Sequence, residues 1–221
     1  MSSIATAIQH IEQQLAGRAR LIAVTKTKPV ALLQEAYASG CKTFGENKVQ
    51  ELVEKVGQLP ADVEWHLIGH LQTNKVKYIA PFVALIHSVD SLKLLQEINK
   101  QAARAGRVID CLLQIHIAEE ETKFGLDAAE AEALLHDPGL EALLHVRIVG
   151  LMGMATNTDD QAQIRQEFRG LKALFDRLSA VQRPNVSFRE LSMGMSGDYG
   201  LAVEEGSTLV RVGSAIFGSR A

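Results

Sequence analysis

The sequence predicts one domain over residues 1–221: a (β/α)8 TIM-like barrel with an extra helix at its N-terminus. Three observations carry this. Short apolar runs alternate with amphipathic segments along the whole chain, and repeated βα units imply parallel strands with helices outside. Runs such as RLIAVTK and DCLLQIHI are continuous, as expected of strands buried on both faces of a parallel sheet. The length of 221 residues approaches the roughly 250 typical of such barrels, and no Ser/Gly run marks a linker. An open doubly wound sheet is the competing arrangement, but no GxGxxG follows the first strand.

The elements follow in order. Ile4, Ile8, Ile11 and Leu15 fall on one face of the first helix, which can cover part of the barrel. Strand one ends at Lys26, before Pro29. Residues 30–39 read as a helix, with Gly40 as its C′ residue. Strands are predicted at 42–45, 64–68, 83–88, 109–117, 146–152, 190–193 and 209–212. Between them lie helices marked by Val49, Leu52, Val53 and Val56, then at 72–80, 91–105, 128–136, after Asp159-Asp160, and at 199–205. Asp90 or Ser91 can cap the helix at 91–105. The stripe Ile164, Phe168, Leu171, Phe175, Leu178 reads as core packing. Little chain remains after strand eight for a full helix.

Composition narrows the function classes. The chain is 47% hydrophobic and 22% charged, which excludes disorder, collagen and a coiled-coil rod. A net charge of −3 argues against a dedicated nucleic-acid binder. The N-terminus MSSIATAIQHIEQQL is too polar for a signal peptide, and no apolar run approaches the roughly 20 residues of a membrane span. Cys41 and Cys111 are far apart and outside any CxxC, so buried, reduced thiols are expected. These features point to a cytoplasmic protein with no membrane partner.

In a barrel, chemistry sits at the C-terminal ends of the strands. Strand one ends in Thr25-Lys26-Thr27-Lys28. A partly desolvated lysine there can be a neutral amine that forms a Schiff base with an aldehyde, or it can simply reach solvent. Spacing does not choose Lys26 over Lys28, although Lys26 is nearer the buried run. After strand seven, Gly194-Met195-Ser196-Gly197-Asp198 precedes a helix, so its amides and the Ser196 hydroxyl can face an anion. Gly213-Ser214 repeats the idea on strand eight; both are also ordinary turn sequences. Arg211, inside LVRVG, needs a buried partner, either an internal carboxylate or a ligand in the barrel mouth. His66 reads as a core histidine. His66 and His70 are broken at Gly69 and have no carboxylate cluster, so no metal site is expected. Glu119-Glu120-Glu121 reads as a solvated loop.

The segments AVTKTKP, FGENKVQE, WHLIGHLQTNK, SMGMSGD and GSTLVRVGSAIFGSR together resemble the YggS/PROSC family, the pyridoxal 5′-phosphate homeostasis proteins. The resemblance runs from about residue 20 to the C-terminus. It implies a barrel of the alanine racemase N-terminal domain type, pyridoxal 5′-phosphate (PLP) as cofactor, and Lys26 as the Schiff-base lysine. It also implies phosphate contacts from Ser196, Gly213 and Ser214, Arg211 at the pyridine nitrogen, and Asn47, Met154 and Ser192 near the cofactor. A charged donor at that nitrogen disfavours its protonation, so the cofactor is a poor electron sink.

Racemases of this fold add a β-rich domain whose tyrosine reaches a partner subunit's site; with so little chain after strand eight, that domain is expected to be absent. Tyr199 is the tyrosine best placed near the mouth, and Tyr199-Gly200 stands where many relatives have Met-Glu. The implied function is cofactor holding in vitamin B6 homeostasis and amino-acid/keto-acid balance, by a monomer without clear turnover. Its partners would be apo PLP-enzymes or a regulatory protein. The alternatives are a small PLP-dependent racemase, which needs a second acid/base group opposite Lys26, and a cofactor-free Schiff-base aldolase, for which only Glu46 could shuttle protons.

Overall fold

In a computed structural model, which describes residues 3–119 and 124–218, eight strands pair in chain order and close into a barrel. They are β1 (Arg20–Val24), β2 (Thr43–Glu46), β3 (Glu64–Leu67), β4 (Leu85–Val89), β5 (Ile109–Ile115), β6 (Val146–Gly153), β7 (Val186–Met195) and β8 (Leu209–Val212). Every pairing is parallel, including β1 with β8. The barrel expected from the sequence is the one observed.

Helices α2 (Val30–Ala38), α3 (Val49–Val56), α4 (Val76–Ile79), α5 (Leu92–Arg104), α6 (Ala128–His136), α7 (Gln161–Leu178), α8 (Tyr199–Glu204) and α9 (Ser214–Phe217) follow the strands in turn. Helix α1 (Ile4–Leu15) precedes β1, capped by Ser3, and buries the whole Ile4, Ile8, Ile11, Leu15 stripe. It packs against α2 and α9, beside the closing strands.

Two apolar clusters hold the barrel. The larger lies between strands and helices and includes Phe44, Trp65, Phe168 and Leu171. The smaller, Ile22, Leu85, Leu112, Val149, Met152 and Leu209, comes from five strands and fills the interior. Side chains on a strand repeat with a period of two. Two residues beyond this apolar layer the same faces therefore carry His87, Gln114 and Arg211, all buried. Beyond them lies the mouth, with Lys26, Met154 and Gly213.

Several boundaries differ from the sequence reading. β7 starts at Val186, four residues early, because VSFRE alternates between half-buried and exposed positions instead of forming an apolar run. The helix expected at 72–80 is a 3-10 turn, Thr73–Lys75, followed by the single turn α4. β5 stops at Ile115, which bridges to Leu126 as the chain leaves the sheet. Cys41 and Cys111 are both buried and unbridged. Among the described residues, no helix is long and apolar enough to cross a membrane. Glu119 is exposed, whereas Glu120 and Glu121 lie outside the described residues.

Gly194, on the strand that ends at the mouth, leaves no room for a side chain. Gly194 has φ +96°, and a Cβ there would stand 2.5 Å from the Ala202 Cβ of α8. Gly194→Ala should lower the free energy of unfolding by more than about 2 kcal/mol. Gly200, inside α8 with nothing within 4 Å of a Cβ, is the contrast: Gly200→Ala should raise it by up to about 1 kcal/mol. Denaturant unfolding of the two variants checks both signs.

Candidate functional site

Lys26 stands two residues past β1 and is half-buried. The turn that presents it is braced on both sides. Lys55 Nζ donates to the Thr25 carbonyl at 2.8 Å and to Glu46 Oε1 at 2.6 Å. The Thr25 hydroxyl donates to the same Glu46 oxygen at 2.6 Å. On the other side, the Thr27 N–H donates to Glu51 Oε2 at 2.7 Å, and Thr27 has φ +61°, rare for a β-branched residue. A buried ion pair thus holds a strained turn in place. Burial pushes the Glu46 carboxyl above the usual range, while Lys55 and Thr25 pull it back. Glu46 is not among the cavity residues.

The ends of β2, β3, β5, β6, β7 and β8 and their loops complete a cavity of about 490 Å³, large enough for a small cofactor. Asn47, Ile68, Gly69 and His70 line one wall. A Cβ on Gly69 would stand 2.3 Å from the Asn47 carbonyl oxygen, so glycine lets these two loops meet. Gln114, Phe124 and Met154 line a second wall, and His70 stacks on Phe124 with ring centroids 4.5 Å apart. Ser196, Gly197, Gly213 and Ser214 line a third. The Ser196 Oγ accepts from the Gly213 N–H at 3.2 Å and the Ala215 N–H at 3.4 Å, which ties the loops after β7 and β8 together.

The cavity is electropositive. Lys26, Lys28 and Arg211 line it, and among the described residues no Asp or Glu does. Lys28 spends its ammonium on α9, donating to the Phe217 and Gly218 carbonyls at 3.1 Å each. Arg211 is buried and donates through Nη1 to Ser192 Oγ at 2.5 Å and through Nη2 to the Gly153 carbonyl at 2.9 Å. Burial pulls its guanidinium down to about 10, still protonated at neutral pH. Its hydrogen-bond partners are a hydroxyl and a carbonyl, and the Asp198 carboxylate acts on it only through its charge.

Of the eight residues singled out, Lys26, Asn47, Met154, Ser196, Arg211, Gly213 and Ser214 share this cavity. Ser192 does not line it; its hydroxyl lies behind Arg211 and meets His87 Nδ1 at 2.9 Å. His87 Nε2 in turn meets His66 Nδ1 at 3.0 Å. The Tyr199 hydroxyl bonds Gln14 of α1, and Tyr199 is likewise not a cavity residue. His66 is a core histidine, as its sequence context suggested. Among the described residues there is no metal-binding cluster of His, Cys, Asp or Glu.

Sequence reasoning missed His87, Gln114 and Lys55. Each left a signal. His87 and Gln114 are polar residues two past interior apolar ones, and Lys55 is a cation on the buried face of α3, three after Leu52.

The whole chain, residues 1–221, matches the family described as the alanine racemase N-terminal domain. It is 42% identical over 203 residues to the pyridoxal phosphate homeostasis protein of Aquifex aeolicus, covering 91% of this chain and 87% of that one. The solved structure of PipY from Synechococcus elongatus with PLP bound is 39% identical with a TM-score of 0.88, covering 98% of this chain and all of that one. An alanine racemase from a Streptomyces lavendulae has a TM-score of 0.78 at 16% identity, covering 98% of this chain and 57% of its own; that likeness concerns the fold alone.

Two outcomes follow from the buried charges. Lys55→Met leaves Glu46 buried without its counter-charge and should cost about 3 kcal/mol or more; the added change Glu46→Leu should recover part of it. Burial holds His66 at about 3, below the ordinary 6.5, and holds His87 well below 6.5 as well. The unfolded chain then binds more protons below pH 6.5. Stability is complete above that pH and falls on acidification, by about 1 kcal/mol per pH unit for each histidine. Denaturant midpoints against pH check this, and His66→Asn should flatten the slope.

Proposed function

This chain belongs to the alanine racemase N-terminal domain family and, within it, to the pyridoxal phosphate homeostasis proteins, and on that premise we propose that it holds PLP on Lys26 without turning over a substrate. One observation carries the reading: a cofactor-sized cavity lined by three cations and, among the described residues, by no carboxylate. Such a site favours an anion, and its donors match the three ends of PLP. Ser196, Gly213 and Ser214 hold the phosphate. Arg211 donates to the pyridine nitrogen. Lys26 Nζ would supply the amine for the aldehyde end, and Asn47 and Met154 would flank the ring. Lys28 donates to two carbonyls at the end of α9, which hold its ammonium there.

When bound, the cofactor supplies an electrophilic carbon conjugated to a ring that can withdraw electrons. Arg211, permanently charged and donor-only, keeps the ring nitrogen unprotonated and so blunts that withdrawal. Racemisation also needs a second acid/base group opposite the lysine. Tyr199 is turned to α1, which leaves His70, among the described residues, as the ionisable cavity residue besides the cations. These features support storage and release over turnover. We place this role in the cytosol, by a monomer that supplies apo PLP-enzymes and thereby affects amino-acid and keto-acid balance.

The visible absorption spectrum tests the reading. PLP-loaded protein should show a violet band, discharged by borohydride and lost in Lys26→Ala. A band kept in Lys26→Ala and lost in Lys28→Ala would move the Schiff base to Lys28. A colourless protein that takes up no added PLP would overturn PLP binding altogether. Measurable amino-acid racemisation, abolished by His70→Gln, would instead favour the enzyme.

A further inference from the structure

Behind the cavity, four side chains from four strands form a buried hydrogen-bonded line: His66 on β3, His87 on β4, Ser192 on β7 and Arg211 on β8. All four are almost fully buried, and none of the first three lines the cavity. We propose that His87 and Ser192, backed by His66, are positioning residues that aim Arg211 at the pyridine nitrogen of the bound cofactor. This rests on the reading of Arg211 as the donor to that nitrogen, and deepens it.

The direction of the line follows from donor inventory. A guanidinium only donates, so Ser192 Oγ accepts from Arg211. Among the described residues, His87 Nδ1 is then the acceptor for the Ser192 hydroxyl proton. The arrangement that satisfies the buried Ser192 hydroxyl proton has the His87 proton on Nε2, donated to His66 Nδ1. Every link points away from Arg211, and each bond polarises the next. Both histidines have to be neutral for the line to close, and burial favours that form.

The line also explains how the buried Arg211 guanidinium keeps one orientation. The Gly153 carbonyl fixes Nη2 and Ser192 fixes Nη1. Arg211 reaches the cavity as well, so its remaining N–H groups are the ones offered to a ligand. A hydroxyl alone could rotate its lone pairs away from Nη1. His87 prevents this by giving the hydroxyl proton a single place to go.

The experiment compares Ser192→Ala, His87→Leu, His87→Asn and Arg211→Gln in the full chain. Circular dichroism checks folding; PLP titration and the visible band are the readouts. Ser192→Ala and His87→Leu should bind PLP about tenfold more weakly or worse, the order expected when a buried charge loses a partner. Their band should shift in the same direction as in Arg211→Gln. In His87→Asn, the amide oxygen can still accept from Ser192, so band and affinity should return towards wild type. A merely structural role would not separate Asn from Leu in the band position. In the cofactor-free protein, nitrogen NMR should place the His87 proton on Nε2.

Folded Ser192→Ala with wild-type affinity and band would overturn the proposal, as would an Asn variant as impaired as the Leu variant. Should His87→Leu fail to fold, Ser192→Ala, which removes one atom, decides. Wild-type protein that binds no PLP would instead overturn the functional reading, before any variant is made.

Discussion

The ladder between β1 and β8, with Ile22 opposite Arg211 and Ala23 opposite Val212, turns a sheet with two edges into a barrel with none. It joins residues nearly 190 positions apart in the chain. Because the two strands are parallel, their C-terminal ends emerge side by side. The Lys26 turn therefore faces the Gly213-Ser214 loop, and Arg211 enters the same space from below. Ser196 Oγ then bonds across to the β8 loop. Without that closure the lysine and the anion-facing loops would lie at opposite edges of an open sheet.

Within the closed barrel, charge is admitted at two places, each with its own partners. Glu46 and Lys55 sit together beneath Lys26, and Arg211 sits on Ser192 and Gly153. Burying an ion pair costs as much desolvation as its attraction returns, so such pairs are weak sources of stability. Their value here is positional. Lys55 grips the backbone carbonyl just before Lys26, and Glu51 grips the amide just after it. A long, flexible lysine is thereby presented from a fixed turn, which lowers the ordering cost of capturing a ligand.

The likeness to alanine racemases concerns the barrel, and barrels of one kind host unrelated chemistry. What decides function is the mouth. A cavity lined by cations and, among the described residues, by no carboxylate, an arginine hydrogen-bonded to uncharged partners and a tyrosine turned to α1 give this mouth its character. Arg211 also connects this site to the interior, since its partners belong to the layer that separates the mouth from the apolar core.

The sequence alone determined the architecture. Continuous apolar runs alternating with amphipathic helices demand buried parallel strands, and a parallel barrel places its chemistry at the strand ends. Lys26, Ser196, Arg211 and Gly213 were legible for that reason. Where local signal failed, its physical cause is visible: the first half of β7 alternates with solvent, and α4 is too short to show a helical period. Lys26 and Lys28 would share a face if β1 continued past Val24, so spacing could not separate them. Lys28 is set apart by carbonyls 189 and 190 residues away. The partners of His87 lie 21 and 105 residues from it. Which polar side chains meet across a barrel depends on the stagger of eight closed strands, and stagger belongs to the assembled sheet, not to any one of its strands.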